Sequence, residues 1–252
     1  MSNKKKGINI LYENKNFAAV DKPSGLLVHP QNENEAQKTP KDREYTLTDY
    51  LVEKYPKMKK VGDKPSVRPG IVHRLDRPTS GVLITAKTQK FFNYFKKLLK
   101  HRKIEKKYLA LVWDEIKNKG KVEKALGRKK NTTRWTTWGS DRKTVKEALT
   151  KHKPLEILKS KKGTFTFVEL KPVTGRTHQL RSHMLSIHHP VVGDSKYGKD
   201  ETLFNLKRPF LHSYSIKFKN IKNKKIKIGS NLPFERKKVL QKINSKEFKN
   251  FC

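Results

Sequence analysis

Cysteine is all but missing from this 252-residue chain, which has one, Cys252, at its very end. A lone terminal thiol excludes an internal disulfide and a thiolate metal cage, and it fits a reducing compartment. Acidic side chains are also scarce: 23 stand against 60 Lys and Arg, giving a formal charge of +37 and a pI near 10.2. Such a surface attracts polyanions and releases them as salt rises, which makes nucleic acid the first partner to consider. Lysine runs such as residues 4–6 and 222–227 serve equally well as plain solvated surface, so charge alone does not decide. No apolar run approaches membrane-spanning length, and no secretory core follows Lys4–Lys6, because residues 8–15 alternate apolar with polar. A cytosolic protein without a membrane partner is expected. Absent too are the Walker and dinucleotide glycine loops and the Gly-x-Ser-x-Gly elbow.

Arginine is thin among the basic residues, with 12 Arg beside 48 Lys, and five of the 12 (Arg68, Arg74, Arg77, Arg176 and Arg181) fall in two short stretches. Lysine supplies a point charge almost as well, so arginine at those places points to a need for the planar, multi-donor guanidinium. Both stretches are candidates for phosphate, carboxylate or base contacts.

With 34% hydrophobic residues the chain can bury a core, and its length fits one domain. Residues 8–28 read as two short strands broken by turn formers at Glu13–Asn16 and Pro23-Ser24-Gly25. Residues 31–43 read as a loop, 46–55 as a helix stopped by Pro56, and 57–69 as a polar linker. Val82-Leu83-Ile84 reads as a buried strand, and Thr88 caps a helix whose Phe91, Phe92, Tyr94, Phe95, Leu98 and Leu99 recur at core spacing. Residues 108–113 and 163–173 read as strands, and residues 120–146 as a basic, turn-rich excursion. Beyond Lys217 the chain turns basic and thinly apolar, which predicts a last strand and a surface helix or tail. This irregular alternation predicts an α+β domain.

Within the excursion, Trp135 and Trp138 stand among Arg128, Lys129, Lys130, Arg134 and Arg142. That composition suits a loop that stacks on bases and grips phosphates, and it equally suits a loop pinned to the body by tryptophan. His73-Arg74-Leu75-Asp76-Arg77-Pro78-Thr79-Ser80-Gly81 reads as a rigid loop presenting a carboxylate between arginines. Asp76 there is either a reactive group or half of a structural ion pair. Thr174-Gly175-Arg176-Thr177-His178-Gln179-Leu180-Arg181 reads as a turn and then a short amphipathic helix with Leu180, Met184 and Ile187 inward. His178 and His183 are five apart, whereas zinc-binding histidines on a helix stand about four apart, so no metal site is expected.

These motifs, with Val20-Asp21-Lys22-Pro23-Ser24-Gly25-Leu26, Lys107-Tyr108, His189-Pro190 and Gly193-Asp194-Ser195-Lys196-Tyr197-Gly198, follow one another in the order found in the RluA-type pseudouridine synthases, which the chain resembles from about Ile10 to Ile216. The resemblance implies a bent mixed or antiparallel sheet flanked by helices, with an RNA-binding cleft. It implies isomerisation of uridine: the C1'–N1 bond breaks, the uracil turns, and C5 joins the ribose, with no cofactor. Asp76 matches the essential aspartate, acting on C1' as a nucleophile or removing a C2' proton. Arg181 matches the arginine that pairs with it, Tyr108 the tyrosine that lies against the base, and Arg74 the residue that fills the gap left by the flipped nucleotide. His73, Arg77, Arg176, Arg134 and Trp135 are expected to contact RNA. Arg77-Pro78 and the His189–Gly198 block look most like the TruC branch, so transfer RNA is favoured over ribosomal RNA, recognised without an S4 domain by a monomer. The expected division is a disordered basic segment 1–7, a catalytic domain 8–220 and a basic C-terminal strand or tail 221–252. The competing class is an RNA-binding or chaperone protein that has lost catalysis. A two-carboxylate glycosidase lacks its second acid.

Overall fold

The computed structural model describes residues 7–129, 132, 134–138, 144–198 and 203–251. Lys130, Arg142, Cys252 and nearly all of the predicted N-terminal segment lie outside the described residues. In chain order the elements are β1 (Asn9–Glu13), β2 (Phe17–Lys22), α1 (Glu33–Gln37), α2 (Leu47–Lys54), β3 (Ser80–Ala86), α3 (Gln89–Lys100), β4 (Glu105–Trp113), β5 (Gly120–Glu123), β6 (Gly127–Arg128), β7 (Trp135–Thr136), β8 (Leu149–Ser160), β9 (Gly163–Pro172), α4 (Gln179–Ser186), β10 (Leu211–Lys219), β11 (Lys225–Gly229) and α5 (Phe234–Lys242). Strands and helices mix without a repeating βαβ order, which is the α+β class. Contacts divide the chain into two compact units, residues 1–104 with 215–230 and residues 105–214 with 231–252.

In the first unit β1 pairs with β2 and β2 with β3, both antiparallel, and β11 pairs antiparallel with the Ser215–Lys219 part of β10. α3 begins where the Thr88 hydroxyl accepts the Phe91 amide. Its Phe91, Phe92, Phe95 and Leu98 pack on Phe17, Val82, Ile84, Ile216, Phe218 and Ile228, so the aromatics at core spacing are core. α2 starts at a capping box in which Thr46 and Asp49 bond reciprocally, and Arg43 grips Asp49 through two nitrogens at 2.8 and 2.7 Å.

In the second unit the strands run β5-β8-β9-β4, antiparallel throughout. One face carries Leu109, Leu111, Phe165 and Phe167, covered by Phe210, Val239, Leu240, Ile243 and Phe248. α4 lies on the other face, where Gln179 Nε2 donates to the Leu149 carbonyl and the Thr150 hydroxyl, each at 3.0 Å.

Five local expectations are corrected. Residues 31–43 are not all loop, because Asn32 accepts the Glu35 amide and opens the short α1. The linker at 57–69 begins with a 3-10 turn, Pro56–Lys60, that buries Met58. The excursion at 120–146 contributes β5 to the sheet and a β6–β7 hairpin. α4 is not amphipathic: it buries Leu180 and Met184 together with Gln179, Arg181, Ser182 and His183. The C-terminal helix is likewise not a surface tail, since α5 buries Arg236, Val239 and Leu240.

Candidate active site

In the first unit, pairing of Lys22 with Gly81 brings the end of β2 beside the start of β3. The turn leaving β2 thereby meets the loop entering β3. Lys22 is fully buried, and its Nζ donates to the carbonyls of Pro23 (3.0 Å), Leu26 (2.9 Å) and Arg77 (3.1 Å). The Gly25 amide donates to the Arg77 carbonyl at 2.8 Å, and Ser24 Oγ donates to the Pro78 carbonyl. Gly25 has φ +91°, a conformation that a β-carbon would strain. The Thr79 amide closes the loop on the Asp76 carbonyl at 3.0 Å. Leu75 is buried and pins the loop, with exposed Arg74 and half-buried Asp76 on either side of it. The His73 ring stacks on Phe95 at 5.8 Å, and its Nε2 accepts the Ile84 amide at 3.0 Å, so the imidazole helps seat the loop. Arg77 donates to the Gly25 carbonyl and pairs with Glu44 at 2.8 Å while its side chain stays 54% exposed.

In the second unit, Arg181 is buried on α4 and forms a two-pronged pair with Asp194: Nε to Oδ2 and Nη2 to Oδ1, each 2.6 Å. Asp194 is fully buried and also accepts the amides of Lys196 and Tyr197 at 3.1 Å. The Arg181 guanidinium lies over the Tyr197 ring, 4.9 Å from its centre. The Tyr197 hydroxyl accepts the Trp135 amide at 2.9 Å and bonds His178 Nδ1 at 3.0 Å. His178 holds a left-handed backbone, φ +54°, at the start of α4; that costs a non-glycine residue about 1–2 kcal/mol, and the Tyr197 bond helps hold it. Tyr108 is buried on β4 opposite Leu170.

A family model described as RNA pseudouridylate synthase matches residues 16–186. The chain belongs to this family. It is 33% identical over 227 residues to ribosomal large subunit pseudouridine synthase D of Borreliella burgdorferi, covering 90% of this chain and 65% of that protein. It is 38% identical over 192 residues to an uncharacterised RNA pseudouridine synthase of Aquifex aeolicus, of which it spans 56%. It is also 33% identical over 226 residues to tRNA pseudouridine synthase C of Vibrio parahaemolyticus, covering 84% of each chain. The fold is that of human RNA pseudouridylate synthase domain containing 1, with a TM-score of 0.70 at 26% identity over 91% of this chain and 85% of that one.

The interval matched by the pseudouridylate synthase family model holds Asp76, Tyr108 and Arg181. Asp194 and Tyr197, which grip Arg181, lie beyond it. The Gly193–Gly198 block and the Lys22 motif are both visible in the sequence, but nothing there says whom Asp194 or Lys22 would hold. Arg176, beside the α4 start, donates through Nε to the Glu147 carbonyl at 3.0 Å. Arg134 is exposed near the hairpin, and Trp135 is half-buried and tied to the body through its amide. Trp138 is the open tryptophan, 55% exposed, with Lys124 Nζ 5.4 Å from its ring centre. Among the described residues, no group of three or more His, Cys, Asp and Glu is placed to hold a metal ion, and no helix is long and apolar enough to cross a membrane.

Proposed function

We propose that this protein isomerises selected uridines of RNA to pseudouridine, with Asp76 as the catalytic carboxylate. The carrying observation is the Asp76 loop of a family member: its backbone is fastened at Pro23, Leu26, Gly25 and Arg77, so the carboxylate is presented from a fixed frame. In this reading Asp76 attacks C1' or removes a C2' proton, the C1'–N1 bond breaks, the freed uracil rotates, C5 bonds to C1', and the C5 proton departs. Arg181 pairs with Asp76 and sets its rotamer, while Asp194 and Tyr197 hold Arg181. Tyr108 lies against the base and relays the C5 proton. Arg74, exposed beside Asp76, fills the space left by the flipped nucleotide, offsetting the few kcal/mol that unstacking costs. Arg77, Arg176, Arg134 and Trp135 take part in RNA binding, in keeping with the charge of +37.

Transfer RNA is the proposed substrate and a monomer the working form. The Arg77-Pro78 pair within the motif and the His189–Gly198 block support the substrate class, and the relative from Vibrio parahaemolyticus bears a transfer-RNA name. Incubating the purified protein with transfer RNA and ribosomal RNA transcripts, then mapping pseudouridine by carbodiimide labelling, tests both points. Product is expected in transfer RNA and is expected to vanish in Asp76→Ala. Full activity of Asp76→Ala would overturn the mechanism, and product in ribosomal RNA alone would overturn the substrate class.

A further inference from the structure

Side chains along β4 alternate between the two faces of the second unit's sheet. Tyr108 shares its face with Leu170, His152 and Thr150, through the pairings of Tyr108 with Leu170 and of Leu170 with His152. That is also the α4 side, since Thr150 bonds Gln179 and His183. Lys107 turns to the opposite face, where it pairs with Glu169 at 3.0 Å. Lys106, two residues before Tyr108, therefore projects on the Tyr108 face.

The Lys106 amine reaches the turn that opens α4: a β-carbon on Gly175 would stand 3.6 Å from Lys106 Nζ. A β-carbon there would sit in ordinary contact with the amine, and glycine leaves that space over Lys106 open. Lys106 has neither a carboxylate nor a hydrogen-bond acceptor among the described residues, in contrast to Lys22 with three carbonyls and Lys107 with Glu169. Burial pushes the Lys106 amine below its ordinary pKa of 10.5. A partly desolvated ammonium without a counter-charge costs stability in the free protein and is relieved when an anion arrives.

We propose that Lys106 is a substrate-binding residue that takes a backbone phosphate flanking the target uridine, in the space left open by Gly175 beside Tyr108. The proposal rests on the assignment of Tyr108 to the uridine site. An anion is the fitting ligand, because only a negative charge compensates the ammonium. A uracil carbonyl would leave it uncompensated. Lys106 is then a site where folding is sacrificed to binding, and removing its charge has opposite effects on the two.

The test measures binding rather than turnover, with a transfer RNA transcript titrated against Asp76→Asn protein carrying Lys106→Met, across a series of salt concentrations. The double variant is expected to bind about 10–100-fold more weakly, as for one lost charge-assisted contact. Its log–log salt slope is expected to be shallower by about 0.7–0.9, one phosphate contact. Its melting temperature is expected to equal or exceed that of Asp76→Asn. Lys153→Met, which removes an exposed charge on the opposite face, where it pairs in register with Glu169, is the charge-matched control and should leave the slope nearly unchanged. In the wild-type protein, amine labelling at pH 8 is expected to mark Lys106 ahead of the surface lysines and to be blocked by the transcript. An unchanged slope overturns the proposal, as does an equal drop in Lys153→Met, a clear fall in melting temperature, or labelling of Lys106 that RNA does not block. Activity surviving in Asp76→Asn would instead count against the catalytic assignment, and is read independently of these measurements.

Discussion

The two units hold the side chains of the proposed site by different means. In the first, a buried cation, Lys22, grips main-chain carbonyls of the turn and of the Asp76 loop. The clamp fixes the path of the backbone, and Asp76 and Arg74 remain at its rim. In the second, the side chain itself is seized: Arg181 is forked onto Asp194 and covered by Tyr197. A clamp on backbone leaves the reactive group available for chemistry. A clamp on the side chain commits two of its five N–H donors to positioning, which suits a group whose task is to hold a charge in place.

The contrast is broken most severely at Asp194. Asp194→Ala removes the carboxylate of a buried ion pair and should cost about 3–5 kcal/mol in urea unfolding, with loss of pseudouridine formation. Asp194→Asn keeps the shape, and it should lose less stability than activity. Lys22→Met strips three carbonyls of a donor while relieving one buried charge, so a net loss of about 2–4 kcal/mol is expected. It should appear in hydrogen exchange as opening of the Gly25 and Thr79 amides, with the amides of α4 still protected. Exchange spread evenly over both units would show that the two clamps act as one. Tyr197→Phe removes the hydroxyl between Trp135 and His178 and should cost about 1 kcal/mol, lowering activity more than melting temperature.

Acid provides the gentlest comparison. Burial lowers the pKa of His29 in the first unit and of His152 and His183 in the second from the usual 6.5. A depressed histidine pKa means that the unfolded chain binds the proton first. The stability these groups contribute is therefore intact above about pH 6.5 and declines as pH falls below it. His183 donates from Nε2 to the Lys124 carbonyl and accepts the Thr150 hydroxyl at Nδ1, so a second ring proton would force that hydroxyl to turn and accept. Melting curves between pH 7 and pH 5 should show greater loss at second-unit probes, and His183→Gln should flatten that slope.

Patterns of short range were legible from the sequence. The Thr88 cap and the aromatic face of α3, the alternation of β9, and the turns at Glu13–Asn16 and Pro23–Gly25 all depend on neighbours within one or two turns of chain. Legibility failed where a distant partner overrides the local pattern. Pro154 disguises β8, whose shift in register only β9 reveals. The polar residues of α4 look solvent-facing until Thr150, Leu149 and Asp194 are set against them.

The site divides in the same way. The sequence alone determined the family, the strong positive charge and the loop that carries Asp76, because motif order and charge are properties of the chain. It did not determine which residues hold that machinery. Lys22 meets Arg77 across 55 positions and Arg181 meets Asp194 across 13. Neither pairing has a periodic signature, so both were decided only when the strands and α4 brought the partners together. Lys106 and Lys107 are alike in sequence, and only the pleat of β4 turns one towards Glu169 and the other towards Gly175.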